Sequence, residues 1–179
     1  MIGNGLVTMK KLFLLRHAKS SWDDASLPDH DRPLSDRGRA AAPRIGAYMR
    51  GAGYLPDLVL CSTATRTRQT LDAVLSELEV EPAIEFHEDL YLAAPSEMLD
   101  FVTSVPDTVE VMLLVGHNPG TGMLAAALSG DGLPERMDLM RAKFPTTGLA
   151  IIELSVDRWK DTIGGCGTLK EFVRPRDLP

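Results

Sequence analysis

Cysteine and long apolar runs are both scarce in this sequence. Cys61 and Cys166 are the only cysteines among 179 residues, and they form no CxxC pair. So few cysteines in a chain of this length do not indicate a disulfide framework, and a reducing compartment is expected. No segment approaches the roughly 20 apolar residues that span a membrane, and the apolar run after Lys11 is interrupted too early for a signal peptide. We therefore expect a cytoplasmic protein that has no membrane partner.

Basic residues are outnumbered as well. The chain has 19 lysines and arginines together against 25 aspartates and glutamates, which gives a formal net charge of -6. A general nucleic-acid-binding protein needs a basic face that replaces the counterions of the phosphate backbone. No nucleic-acid partner is therefore expected, and any anion that the protein handles must be held by a local basic site.

Two signatures of phosphate chemistry are missing. GNG at 3–5 and GTG at 120–122 do not complete a GxGxxG pattern, and no GK[ST] follows either of them, so neither predicts a nucleotide loop. Cysteine-based phosphatases carry an arginine six positions after the cysteine, whereas here Thr67 stands six positions after Cys61. Cys61 is therefore predicted to be a buried strand residue.

The length and composition of the chain fit one globular domain over residues 1–179. The sequence is 44% hydrophobic and 25% charged, as in ordinary soluble proteins. Residues 1–9 precede the first apolar run, and we expect them to be a poorly ordered extension without a function of its own.

Three short apolar runs predict buried strands: LFLL at 12–15, LVL at 58–60 and VMLLV at 111–115. None alternates with polar residues, which is typical of strands covered on both faces in a parallel sheet. Helical patterns lie between the runs. This alternation predicts an α/β fold, specifically a three-layer αβα sandwich with a mostly parallel central sheet.

The remaining elements are predicted from caps, prolines and periodicity. Helices are expected over about 35–52, 71–78, 95–105 and 119–128, a strand at 150–154, and a terminal hairpin within 159–173. The segment 130–147 fits neither period, so we interpret it as a long loop near the site.

Polar side chains follow each of the three apolar runs. Arg16 and His17 come after the first, CSTATRTRQT at 61–70 after the second, and GHNPG at 116–120 after the third. Ligands of open α/β sheets bind beyond the carboxyl ends of the strands. We therefore expect these three segments to surround one pocket.

The residue types in these segments suit a phosphoryl group. The guanidinium groups of Arg16 and Arg66 match phosphate oxygens in bidentate geometry, and a protonated His117 would add a third positive charge without a metal. A neutral imidazole at His17 is a good nucleophile when its other ring nitrogen is hydrogen-bonded. By contrast, the consecutive residues 29–31 (DHD) are poorly spaced for a metal site and are interpreted as a solvated loop.

Four motifs carry a family resemblance. They are LLRHAKS at 14–20, RPLSDRGRAAA at 32–42, the SxxxRxxQT pattern of Ser62, Arg66, Gln69 and Thr70, and VGHNPG at 115–120. Together they resemble the histidine phosphatase superfamily, also called the phosphoglycerate-mutase-like family. Within it, the short chain and the RHAK and GHNPG variants are similar to SixA-type phosphohistidine phosphatases.

The resemblance implies that His17 is the nucleophile and becomes phosphohistidine, with Arg16, Arg66 and His117 around the transferring group. It implies no cofactor and no metal. Ser62 either contributes its hydroxyl to the pocket or stabilises a turn, and Asn118 either binds phosphate or caps the following helix.

The resemblance also leaves a choice of general acid and of substrate. The family often places a glutamate after the strand that follows its second motif, and here FHEDLY at 86–91 offers Glu88, which we prefer, or Asp89. The implied substrate is a phosphohistidine in a signalling protein, such as a phosphotransfer domain. The alternatives are a small phosphomonoester, and less favoured, a mutase reaction or a noncatalytic phosphate-binding module.

Overall fold

A computed structural model describes residues 9–178. Within this range, seven strands form one sheet: β1 Lys10–Arg16, β2 Leu58–Ser62, β3 Ala83–His87, β4 Val111–Gly116, β5 Ser129–Gly132, β6 Leu149–Leu154 and β7 Gly167–Val173. Their spatial order is β3-β2-β4-β1-β6-β7-β5. Only β6 runs against the other six strands. The prediction of a mostly parallel sheet is confirmed.

Five α-helices accompany the sheet in the described part of the chain: α1 Asp36–Ala52, α2 Thr65–Leu78, α3 Pro95–Thr103, α4 Gly120–Leu128 and α5 Pro134–Ala142. Short 3₁₀ turns lie at Asp29–Asp31, Glu88–Leu90, Trp159–Asp161 and Pro175–Asp177. No helix in the described residues is long and apolar enough to cross a membrane.

The two faces of the sheet are covered by different helices. Successive side chains of a strand point to opposite faces, so Leu12 and Leu14 pack in one core with residues of α3, α4 and α5, while Phe13 and Leu15 pack in another with residues of α1 and α2. Both cores are almost completely buried. The predicted three-layer αβα sandwich, which the phosphoglycerate-mutase-like family shares, is confirmed.

Helix α1 begins where the sequence predicts, because the hydroxyl of Ser35 accepts a hydrogen bond from the backbone N–H of Gly38 at 3.2 Å. It ends at Gly53, which adopts the left-handed conformation with φ of 73°. A Cβ at Gly38 would lie 2.2 Å from the carbonyl oxygen of Lys19. The first turn of α1 is therefore packed directly on the backbone that follows β1.

Two sequence expectations about the last third of the chain are wrong. Residues 130–147 are mostly ordered into β5 and α5, because Pro134 starts a helix whose Met137 and Met140 are buried in the core. The short helix was missed because most of its residues are exposed and polar, so its few buried residues do not form a recognisable helical pattern of apolar positions. The expected hairpin within 159–173 is a 3₁₀ turn followed by β7, which pairs with β6 instead.

The strand β3 was not predicted from the sequence. It pairs with β2 in parallel at the edge of the sheet, and its residues are exposed or only partly buried. An edge strand of this kind has no continuous apolar run that could mark it. The expected extension over residues 1–9 falls, except for Met9, outside the described residues.

Candidate active site

The carboxyl ends of the three neighbouring strands β1, β4 and β2 bring the polar segments together. Val115 of β4 pairs with Leu15 on one side and with Cys61 on the other, and the next pair is Arg16 with Gly116. Arg16 is thus the last residue of its strand, and His17 is the first residue beyond it. The expected meeting of the three segments at one edge is observed.

His17 is held in one tautomer. Its Nδ1 lies 2.7 Å from the carbonyl oxygen of Ala18, and because a carbonyl only accepts, Nδ1 must carry the proton. The other nitrogen, Nε2, then presents a lone pair. Burial, reinforced by the charges of Arg66 and Arg16, lowers the pKa of His17 to about 4 despite the opposing hydrogen bond to Ala18. The imidazole is neutral near pH 7.

His117 lies beside His17, with the ring centroids 5.2 Å apart. Its Nδ1 is 3.3 Å from Nη2 of Arg66, and its Nε2 is 2.8 Å from the hydroxyl of Ser62. Since a guanidinium only donates, Nδ1 accepts and the proton is on Nε2. Burial, followed by the influence of His17 and Arg66, lowers the pKa of His117 to about 3. Without an anion the His117 ring is therefore neutral, and the protonated His117 expected beside a phosphoryl group stays a prediction.

Arg66 occupies the first turn of α2 and is almost completely buried. Its Nη2 donates to the Asp29 carboxylate at 2.9 Å, and its Nη1 donates to the Asp29 carbonyl. Arg16 donates from Nη1 to the carbonyl of Phe144 at 2.9 Å, whereas its buried Nε has no partner among the described residues. Burial and the positive charge of Arg66 lower the pKa of Arg16. The two guanidinium groups thus repel each other across the site.

Asp29 is a site residue that the sequence reading missed. Its carboxylate accepts hydrogen bonds from Tyr91 at 2.6 Å, from Arg32 at 2.9 Å and from Arg66 at 2.9 Å. The Tyr91 hydroxyl, with Arg32 and Arg66, holds the pKa of Asp29 well below its usual range. The segment 29–31 is solvent-exposed as predicted, but Asp29 also joins this hydrogen-bonded cluster. The three-residue spacing to Arg32, which suits a local ion pair, was the available signal.

Tyr91 is the second residue that was missed. Its ring stands perpendicular to the ring of His117, with centroids 5.3 Å apart, and the guanidinium carbon of Arg66 lies 5.7 Å from the Tyr91 centroid. Burial and the hydrogen bond to Asp29 raise the pKa of Tyr91. No local sequence pattern marked it, because its contacts come from segments far away along the chain.

Ser62 and Asn118 lie at the site but are engaged with protein groups. Ser62 is buried and accepts the hydrogen bond of His117. The Asn118 amide donates to the carbonyl of Phe144 at 2.9 Å, and its oxygen accepts from the N–H of Gly122 at 3.3 Å. Of the two interpretations left open for Asn118, the geometry matches the helix-capping one.

The Glu88 side chain has no hydrogen bond or ion pair with the other predicted site residues. Glu88 and Asp89 are exposed in the turn before Tyr91, and within residues 9–178 their carboxylates have no hydrogen bond or ion pair. Their assignment as general acid stays a prediction.

Neither a cysteine nucleophile nor a metal site is supported by the geometry of the described residues. Burial raises the pKa of Cys61 to about 12, so the thiol stays protonated and is a poor nucleophile. Among the described residues, no group of three or more His, Cys, Asp or Glu side chains is arranged to hold a metal ion.

Known proteins share both the sequence and the fold. The family model for the histidine phosphatase superfamily (branch 1) matches residues 12–91. The uncharacterized protein Rv1276c of Mycobacterium tuberculosis is 40% identical over 167 residues, which are 90% of this chain and 100% of that protein. The structure of the putative phosphohistidine phosphatase SixA from Agrobacterium tumefaciens is 30% identical with a TM-score of 0.78, over 93% of this chain and 98% of its own.

The chain belongs to the histidine phosphatase superfamily. A second solved structure, the putative phosphohistidine phosphatase SixA from Nakamurella multipartitia, agrees: it is 31% identical with a TM-score of 0.78, over 93% of this chain and 96% of its own. The resemblance to this superfamily, and to its SixA-type members, is confirmed. The protein is a phosphatase of this superfamily, and the cluster at the strand ends is its candidate active site.

Proposed function

We propose that this histidine phosphatase removes phosphate from phosphohistidine through a covalent intermediate on His17. The observation that carries the proposal is the neutral His17 ring, whose Nδ1 donates to Ala18 and whose Nε2 lone pair is available. In the first step Nε2 attacks phosphorus while the bond to the leaving group breaks with its electron pair. In the second step water attacks the phosphorus, the P–N bond breaks, and inorganic phosphate leaves.

The proposed role of Arg16, Arg66 and His117 is to hold the transferring group and to offset its negative charge. Phosphoryl transfer depends mainly on positioning and on charge stabilisation at the equatorial oxygens. The mutual repulsion of the two guanidinium groups would be relieved by a dianion between them. A bound dianion would also raise the pKa of His117 and so allow it to become the third cation.

The leaving group that the site favours depends on whether an acidic side chain near His17 can donate a proton to it. Asp29 is the carboxylate in contact with Arg66, and its lowered pKa makes it a poor proton donor at neutral pH. Glu88 is exposed, and its carboxylate has no hydrogen bond or ion pair with any residue in 9–178. An alkoxide would need an acid, whereas imidazole is already a better leaving group. This supports phosphohistidine over an alkyl phosphate.

A protein-borne substrate is supported by the position of α5. A loop at 130–147 that closes over the site would favour a small phosphomonoester, but α5 packs Met137 and Met140 into the core beside β7. The relatives carrying the SixA name are described as putative phosphohistidine phosphatases. We therefore place the phosphohistidine of a signalling protein first and a small phosphoester second.

The decisive experiment compares His17→Ala with His87→Ala, which removes a histidine at the end of the edge strand. Phenyl phosphate and a phosphohistidine protein are the substrates, and phosphoenzyme is measured by mass spectrometry after a rapid quench. The proposal predicts that His17→Ala forms no phosphoenzyme and loses turnover, while His87→Ala keeps both. Turnover retained by a folded His17→Ala protein would overturn it.

A further inference from the structure

A second basic site adjoins the candidate active site. A pocket of about 310 Å³ lies at the same end of the molecule, and five basic side chains contribute to its lining: Lys19, Arg37, Lys143, Arg174 and Arg176. Within the described part of the chain, no acidic side chain lines it. Its volume falls in the range of small-ligand pockets.

The pocket and the active site share a stretch of backbone. Lys19 follows His17 by two residues, and the N–H of Thr147, another lining residue, lies 3.1 Å from the carbonyl oxygens of both Arg16 and His17. Arg37 is held near Lys19 because the first turn of α1 packs on the Lys19 carbonyl. The backbone that carries His17 is therefore hydrogen-bonded directly to a residue that lines the pocket.

The sheet topology places the remaining arginines at this edge too. Strand β7 pairs with β6, which pairs with β1, so β7 runs parallel to β1. Leu149 faces both Leu15 of β1 and Val173 of β7. Arg174 is the first residue after Val173 and Arg176 the third, so both lie beyond the carboxyl end of the strand.

Most of the positive charge in the pocket is uncompensated. Arg174 is neutralised by Asp177, with Nε to Oδ2 at 2.6 Å, and Arg176 is 3.9 Å from the same carboxylate. In contrast, the side chains of Lys19, Arg37 and Lys143 have no hydrogen bond or ion pair with any residue in 9–178. Clustered like charges attract anions into a cleft, and here they are concentrated in a protein whose net charge is -6.

We infer that this pocket binds a second anionic group of the phosphorylated substrate, a carboxylate or a phosphate, while the phosphoryl group to be removed lies at His17. The inference rests on the proposed function. It adds that the substrate carries a second anionic group, which the residues around His17 do not themselves bind. The anionic group has two possible sources: an acidic side chain beside the phosphohistidine of a protein, or a second acidic group of a small phosphoester.

The test compares pairs of substrates, one with and one without a second anionic group. The first arm uses two phosphohistidine peptides whose flanking residues are either glutamine or glutamate. The second arm uses fructose 6-phosphate and fructose 1,6-bisphosphate. Phenyl phosphate, which has no second anionic group, is the common reference. The glutamate peptide or the bisphosphate should exceed its matched partner in kcat/KM by about tenfold, and the arm that does so identifies the source.

Charge reversal in the pocket then links the preference to these residues. The double variant Arg37→Glu/Lys143→Glu should abolish the preference, mainly through KM, and should change phenyl phosphate turnover less than twofold. The control Arg158→Glu reverses an exposed charge that is paired with Asp161. Arg158 follows β6, which is antiparallel to β1, so it lies at the amino end of β1, away from the pocket. This control should leave the preference intact.

Three results would overturn the inference: no preference in either arm, a preference that survives the double variant, or an equal loss on phenyl phosphate. These results are distinct from a failure of the proposed function. That failure would appear as turnover without His17, whereas the pocket is judged on substrate ratios in proteins that all retain His17.

Discussion

The two ends of strand β1 each carry a cation, and their surroundings differ. At the start of the strand, Lys10 is 1% exposed and donates to the carbonyls of Asp107 and Val109 and to the Glu110 carboxylate at 2.7, 2.9 and 3.0 Å. At its end, the Arg16 side chain has one hydrogen bond and a buried Nε without a partner among the described residues.

Under the proposed function, this difference distinguishes a structural cation from one that binds a ligand. Buried polar groups are normally satisfied, because an unpaired one has a free-energy cost of about 1–3 kcal/mol. All three donors of Lys10 are occupied by the protein itself, so the protein gains stability there. At the other end, the proposed function assigns the unpaired Nε of Arg16 to an anion, and the repulsion between Arg16 and Arg66 is the cost of that arrangement.

The largest expected effect is on activity at the carboxyl end of the strand. Arg66→Ala should lower kcat/KM for phenyl phosphate by about a hundredfold to a thousandfold, because a preorganised donor to the transferring group is lost. Steady-state kinetics on the purified variant measures this.

Arg68→Ala is the matched control, since the Arg68 guanidinium lies 4.0 Å from the Phe86 ring centroid, outside the cluster. Its kinetics should stay within about twofold of the parent protein. Equal losses in the two variants would show that Arg66 acts only through the fold.

The next effect is on stability at the amino end. Lys10→Met keeps the apolar stem but leaves two carbonyls without their donor, so the free energy of unfolding should fall by about 2–3 kcal/mol. Urea denaturation measures the change, and Lys11→Met, at an exposed neighbour, is the control. If Lys10→Met instead reduced kcat in a stable protein, the contrast between the two ends would be false.

A smaller effect is expected at Asp29, whose carboxylate holds the Arg66 side chain in position. Asp29→Asn keeps the shape of the side chain but weakens its hold on Arg66, so kcat/KM should fall by about tenfold, mainly through KM. Kinetics on phenyl phosphate measures it, with Asp31→Asn as the neighbouring control. An increase in kcat/KM would mean that the carboxylate competes with phosphate and does not position Arg66.

A further effect concerns the dependence of stability on pH. The pKa values of His17 and His117 are lowered in the folded protein to about 4 and 3, so the unfolded chain binds more protons below pH 6.5. The free energy of unfolding should therefore fall as pH decreases from about 6.5 towards 4. Calorimetry should show a shallower fall for His117→Asn, and an unchanged slope would contradict the lowered pKa.

Much of the fold followed from local sequence patterns. The buried strands were marked by uninterrupted apolar runs, and the start of α1 by Ser35, because both signals act within a few residues. The edge strand β3 and the short helix α5 were missed, since their residues are largely exposed and only tertiary packing orders them.

The residues of the candidate site also separate into those that local sequence patterns predict and those that depend on tertiary contacts. His17, Arg66 and His117 were found because they lie in the segments that follow predicted strands, which parallel pairing brings to one end of the sheet. Asp29 and Tyr91 were missed because their roles come from contacts across 37 to 62 residues of chain. The neutral state of His117 depends on burial and on neighbouring charges, which a motif does not reveal.

The central claim is that His17 is a neutral imidazole with its proton on Nδ1, and ¹⁵N NMR of the ligand-free protein tests it directly. The ring signals of His17 are assigned by their absence in His17→Gln and followed from pH 3 to 8. We predict a neutral ring near pH 7 with protonated Nδ1 and unprotonated Nε2, titrating near pH 4. A titration near 6.5, or a proton on Nε2 at pH 7, would contradict the claim.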